Sequence, residues 1–134
     1  MAEAVLGGCR KEEGVVSELF EILDKDFYGS RWSNDAILST LDQSDAIIMG
    51  SPTYMGTVST KIKAFMEATV SRYVTAAWDE KLAAGFTVSG GQAGDKFNTL
   101  STMATFAMQQ NMIWVGLGCN KFNQAASINE DGHY

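Results

Sequence analysis

The sequence predicts an α/β fold with a parallel β-sheet at its centre. Short apolar runs alternate with amphipathic stretches in the order strand, loop, helix, strand, loop, helix, strand, which is the pattern of βαβ units. The right-handed crossover rule then sets the strands side by side and parallel. Glycines cluster immediately after two of the apolar runs, at the strand ends where open parallel sheets hold their ligands.

The elements follow in order. Ala2 to Glu13 reads as a helix with Val5, Leu6 and Cys9 on one side, although Gly7 and Gly8 each cost it about 1 kcal/mol relative to alanine. Gly14 is a stop, and Val15 to Ile22 alternates as a strand with one better-buried face. Asp24 to Ser33 reads as a loop. A short helix is expected over Asp35 to Leu41, with Ser33 or Asn34 as its N-cap. Asp45 to Gly50, D-A-I-I-M-G, is apolar without alternation and is expected to be buried on both faces. Val58, Ile62, Phe65, Met66, Thr69, Val70 and Tyr73 then recur at helical spacing, opposite Lys61, Lys63, Glu67 and Arg72. Lys81 to Ser89 is a strand, Phe97 to Asn111 a helix capped by Asp95, and Met112 to Leu117 a last apolar strand.

The chain's 134 residues suffice for one core, so a single domain over 1–134 is expected. Ten Lys and Arg against 16 Asp and Glu leave a net charge of −6, and no basic run marks a nucleic-acid or anionic-membrane partner. No stretch approaches the ~20 apolar residues of a membrane span and no leader pattern opens the chain, so a cytoplasmic protein is expected. Cys9 and Cys119 form no metal-ligand cluster and are expected to be reduced, and His133 sits in a polar terminal run. No metal site is expected.

Chemistry is expected at two loops, Gly50 to Thr57 and Ser89 to Asp95. Pro52 fixes φ and Gly56 permits positive φ, so the amides of Thr53, Tyr54 and Met55 can face one direction. That suits a planar heterocycle with acceptors along its edge, with Tyr54 and Met55 covering a face or rim. In the second loop Gly90, Gly91 and Gly94 allow close backbone approach. Neither loop is a phosphate site, since no Walker-type or GxGxxG pattern occurs and Asp95 would repel a phosphate.

The blocks D-A-I-I-M-G-S-P-T-Y-M-G-T-V-S-T-K-I-K-A-F-M-E and K-L-A-A-G-F-T-V-S-G-G-Q-A-G-D-K-F-N-T-L resemble, in the same order, the flavodoxin-like NAD(P)H-dependent FMN reductases and WrbA-type NAD(P)H:quinone oxidoreductases. The resemblance implies a flavodoxin-like doubly wound sheet, FMN as cofactor, NAD(P)H as electron donor, a quinone or flavin as acceptor, and a homo-oligomer. It places the isoalloxazine edge at Pro52, Thr53, Tyr54, Met55 and Gly56. The pyrimidine end falls at Ser89, Gly90, Gly91, Gln92, Ala93 and Gly94. Where family members often carry a His that reaches a neighbouring subunit's flavin, this chain has Gln110, which can hydrogen-bond but cannot titrate near neutral pH.

Set against that pattern, the chain is truncated at both ends. The family begins with a central strand and a phosphate-binding loop, whereas this chain starts inside the following helix, and it stops where the last helix should begin. The vacated place is expected to close by Val15 to Ile22 pairing directly with Asp45 to Gly50 or by a second copy of the chain, unless the chain is a fragment of a longer reading frame. The function implied is an FMN-dependent oxidoreductase whose grip on FMN is weakened by the missing phosphate loop. The alternative is a non-catalytic flavodoxin-like module with weak or no FMN binding. A receiver-type signalling domain is disfavoured, because Gly50 and Ser89 stand where an acidic phosphoacceptor would be needed.

Overall fold

The computed structural model describes residues 1–91 and 94–116. Cys119, His133, Gln92, Ala93 and the end of the last expected strand lie outside them. Helix α1 (Ala2–Cys9) is followed by a single 3-10 turn (Asp24–Asp26) and a two-stranded antiparallel hairpin, β1 (Phe27–Tyr28) and β2 (Arg31–Trp32). Then come α2 (Asp35–Gln43), β3 (Ala46–Tyr54), β4 (Thr57–Val58), α3 (Thr60–Ala68) and α4 (Val70–Thr75). The chain continues through β5 (Leu82–Val88), α5 (Lys96–Gln109) and β6 (Ile113–Trp114). The main sheet has the order β4-β3-β5-β6. Its core is parallel, as the βαβ pattern requires: Ala46–Pro52 pairs with Leu82–Val88 in register, and β6 follows on the far side of β5. No described helix is long and apolar enough to cross a membrane.

Several expectations change. The first helix ends at Cys9 rather than Glu13 and buries none of its residues, as a glycine-weakened helix without a packed face should. Val15 to Ile22 forms no strand among the described residues, because a groove separates it from β3 and it finds no ladder partner. Direct closure of Val15–Ile22 onto Asp45–Gly50 therefore does not occur. The expected loop at Asp24–Ser33 contains the small hairpin, which delivers Trp32 into the core. β3 is longer than D-A-I-I-M-G and buries one face only: Ile47, Met49 and Ser51 are buried, while Ala46, Ile48 and Gly50 are exposed. Burial on both faces, expected for this run, is not observed: Ile48 on the second face stays 45% exposed. The expected single helix after Val58 breaks at Thr69, leaving Val70 and Tyr73 exposed.

Other local signals hold. Asn34 caps α2, its Oδ1 accepting from the Ile37 amide at 3.1 Å, and Ser59 caps α3. Gly50 has no side chain because a Cβ there would lie 2.3 Å from the Phe86 ring, its register partner on β5.

The core joins Ile47, Met49, Ile62, Phe65, Met103 and Trp78, between the sheet and α3 and α5. Phe65 meets Trp32 edge-on at 5.4 Å between ring centroids, and Trp78 stacks on Phe65 at 6.3 Å. Beside them Asp42 gathers three partners. Arg72 donates to both carboxylate oxygens at 3.2 and 2.9 Å, and Trp78 Nε1 donates at 2.7 Å. Lys81 Nζ donates to the carbonyls of Asp42 and Ser44.

The Arg72 hydrogen bonds hold the Asp42 carboxyl below its ordinary range despite partial burial, and Asp42 raises Arg72 in turn. A carboxyl depressed on folding contributes stability that is present above its unfolded value, near 4, and lost as pH falls through the folded value. Asp42→Asn is therefore expected to lower stability at pH 7 by about 1–2 kcal/mol. It should also flatten the acid limb of the stability curve below about pH 4. Urea unfolding at pH 7, 5 and 3 checks both.

Candidate functional site

The ends of β3 and β5 form a ledge at the carboxyl edge of the sheet, the place where open parallel sheets bind ligands. Pro52, Thr53 and Tyr54 belong to β3 itself rather than to a loop. Thr53 pairs with Val58 and Tyr54 with Thr57, so only Met55 and Gly56 form the turn. Both have positive φ, +47° and +84°, as a two-residue type I′ hairpin demands. Gly56 adopts that conformation freely. Met55 does so at a cost of roughly 1–2 kcal/mol, and its side chain is fully exposed. Backbone strain that serves an exposed apolar side chain points to function rather than to packing. Tyr54 and Phe97 stand 64% and 84% exposed on neighbouring elements.

The ledge is pinned from behind by hydroxyl groups. Thr53 Oγ1 lies 2.8 Å from both Thr87 Oγ1 of β5 and the fully buried Thr99 Oγ1 of α5. Thr57 Oγ1 lies 3.1 Å from Thr102 Oγ1, and Asn98 Nδ2 donates to the Gly56 carbonyl at 2.7 Å. The first turn is thus fastened to the start of α5. Asp95 occupies the N-cap position of α5 at φ +35° but makes no side-chain cap. Its carboxylate instead lies beside Gly56, 3.7 Å from where a Cβ would be.

The second loop is laced together by Ser89 Oγ, which donates to the Gly91 carbonyl at 2.7 Å. Lys96 Nζ donates to Ser89 Oγ at 2.7 Å and to the same carbonyl at 2.8 Å. Gly90 has open space where a Cβ would be. Thr53→Val is expected to lower stability by about 1–2 kcal/mol by stranding two hydroxyls, one of them fully buried. Thr53→Val with Thr99→Val should cost less than the sum of the two singles, since both remove one bond. Denaturant unfolding of the three variants checks this.

The structure thus brings together Pro52, Thr53, Tyr54, Met55 and Gly56 with Ser89, Gly90, Gly91 and Gly94; Gln92 and Ala93 lie outside the described residues. It does not bring Gln110 to them. Gln110 ends α5, about 20 Å along a helix of 14 residues from the loop. It is 4% exposed, and Nε2 donates to Thr69 Oγ1 at 2.8 Å, so it presents little surface to a neighbouring subunit. Sequence reasoning missed Lys96, Asn98, Thr99 and Thr102. Their spacing on α5 puts Asn98 and Thr102 one turn apart, a signal that is readable once the helix is known to abut the turn.

No group of three or more potential metal ligands occurs among the described residues. The ledge presents the exposed side chains of Tyr54, Met55 and Phe97 beside the backbone of the two turns.

The chain is 40% identical over 97 residues to the flavodoxin FldP of Pseudomonas aeruginosa, covering 72% of this chain and 53% of that protein. It is 32% identical over 130 residues to an NAD(P)H dehydrogenase (quinone) of Geobacter sulfurreducens, covering 87% of this chain and 64% of that one. The chain therefore spans between about half and two thirds of the length of these relatives. Among solved structures, a flavodoxin, WrbA-like protein from Agrobacterium tumefaciens superposes with a TM-score of 0.61 at 42% identity, over 66% of this chain and 56% of that chain. That likeness bears out the flavodoxin-like fold. The model of the NADPH-dependent FMN reductase family matches residues 1–126, and the chain belongs to that family.

Proposed function

We propose that the ledge binds the isoalloxazine ring of FMN in an oxidoreductase that takes a hydride from NAD(P)H and passes two electrons to a quinone or to free flavin. The observation that carries this reading is the pair Tyr54 and Met55, exposed on a strained turn beside an open glycine loop at the strand ends. These residues fit a flavin ring: apolar side chains for its face or rim, and backbone groups of Met55, Gly56, Gly90 and Gly91 for its polar edge. Gln92 and Ala93 belong to the same proposed loop. FMN, when bound, supplies the hydride-accepting chemistry. The chain's own residues position and cover the ring, Thr53, Thr99 and Asn98 hold the turn, and no side chain is needed as a general acid or base.

The phosphate end of FMN is a different matter. Among the described residues of Pro52–Gly56 and Ser89–Lys96 the cationic side chain is Lys96, which is engaged with Ser89 and Gly91. This favours a second reading, a flavin-binding module without turnover. The name of the Geobacter relative supports a quinone acceptor. Exposed Val70, Tyr73, Val74 and Met108 support a homo-oligomer, and reliance on reduced nicotinamide supports a cytoplasmic site of action. Oxidation of NADPH by the protein with FMN and a soluble benzoquinone separates the two readings. The enzyme reading expects a rate above that of free FMN, proportional to protein; flavin binding with no rate above background leaves the module.

A further inference from the structure

The methionines of the chain divide by burial. Met49, Met66, Met103 and Met112 are buried, where a flexible thioether fills irregular space in a core. Met1 and Met108 stand 54% and 61% exposed, and Met55 reaches 103%, so no part of its side chain is covered. The backbone beneath Met55 is fixed. It holds φ +47° in a turn fastened to α5 by the Asn98 Nδ2 bond to the Gly56 carbonyl at 2.7 Å and by the Thr57 and Thr102 hydroxyls at 3.1 Å. A left-handed residue in a two-residue hairpin turn is ordinarily Gly, Asn or Asp. A methionine there bears strain and gains no burial.

We propose that Met55 is a reversible oxidation site that sets the flavin affinity of the ledge, which rests on the reading that the ledge holds the isoalloxazine ring. The oxidant is hydrogen peroxide. The sulfur lone pair attacks one peroxide oxygen, the O–O bond breaks as the S–O bond forms, and the departing hydroxide takes the proton of the transferred oxygen and leaves as water. Sulfur loses two electrons and peroxide gains them. The product, a sulfoxide, is polar where the thioether was apolar, and reductases reverse it. Against a flat ring its oxygen loses water, and the Asp95 carboxylate beside Gly56 accepts hydrogen bonds and cannot donate one to replace it. Because Met55 is not packed, the change reaches the ligand and spares the fold. The same oxidation at the fully buried Met103 would disrupt the core. Met108 is the internal comparison: it is exposed but stands about 18 Å along α5 from Lys96.

The test is graded peroxide treatment of the full chain, read by peptide mass spectrometry, FMN titration and urea unfolding. Met55 and Met108 are expected to gain one oxygen each before the four buried methionines do. Saturating FMN should slow the gain at Met55 by about fivefold or more and leave Met108 unaffected. The treated chain is expected to bind FMN about tenfold or more weakly at unchanged unfolding midpoint, and methionine sulfoxide reductases A and B together should restore binding. Met108→Leu should lose affinity on treatment as the parent does, whereas Met55→Leu should lose none beyond its untreated value. Oxidation of Met55 with FMN affinity unchanged overturns the proposal. So does an equal loss in treated Met55→Leu, which would place the effect at a cysteine thiol. An untreated chain that binds no FMN overturns the ring reading itself, and the proposal with it.

Discussion

Trp78→Ala is expected to destabilise the protein by about 3–5 kcal/mol, lowering Tm by roughly 10–20 °C. Trp78 is fully buried, stacks on Phe65 and meets Phe106 edge-on at 6.4 Å. Its removal leaves a large cavity at the junction of α3, α5 and the turn before β5. It also takes the indole donor from Asp42 at 2.7 Å, so the carboxylate keeps only Arg72. Trp78→Phe retains most of the ring contact and loses the hydrogen bond, for which a smaller cost of about 1–2 kcal/mol is expected. Thermal and urea unfolding of both variants give the comparison. Equal losses would mean that the hydrogen bond, not the packing, is what matters.

Tyr54→Ala combined with Met55→Ala is expected to weaken flavin binding by about 10- to 100-fold. An aromatic contact on a flat ring contributes roughly 0.5–1.5 kcal/mol beyond area burial, and a methionine sulfur against such a ring about 0.3–1.5. Lost apolar contact area supplies the remainder. Because both side chains are exposed, unfolding free energy should stay within about 0.5 kcal/mol of the parent. Flavin titration and urea unfolding of the same preparation separate the two effects. A variant that loses stability along with flavin affinity would assign Tyr54 and Met55 to packing.

Much of this arrangement was legible in the residues. D-A-I-I-M-G and the run from Leu82 to Val88 are strands because apolar runs of that length bounded by turn residues have few other solutions. Asn34 and Ser59 announce their helices by the chemistry of the N-cap. The ligand edge followed from the parallel order, and both glycine-rich segments are found there. What was not legible depends on the partner across space. Val15–Ile22 alternates like a strand, yet alternation specifies a face and not a neighbour, and it joins no ladder among the described residues. Pro52 to Tyr54 read as a loop because Pro is rare within strands, but β3 places it near its end, where the other edge is free. The Thr53, Thr87 and Thr99 hydroxyls come from three elements, and no spacing along the chain connects them. Gln110 was placed by motif position, and only the fold shows it turned inward to Thr69.

The central claim is the proposal that the ledge at Tyr54–Gly56 and Ser89–Gly91 binds the isoalloxazine ring, which FMN and riboflavin share. Parallel titrations of the protein with FMN and with riboflavin, followed by flavin fluorescence and visible absorbance, test it most directly. The account predicts quenching of both at about tens of micromolar, since the ring that the ledge covers is common to the two. No quenching by either flavin, or quenching that Tyr54→Ala with Met55→Ala leaves unchanged, would contradict the ring site.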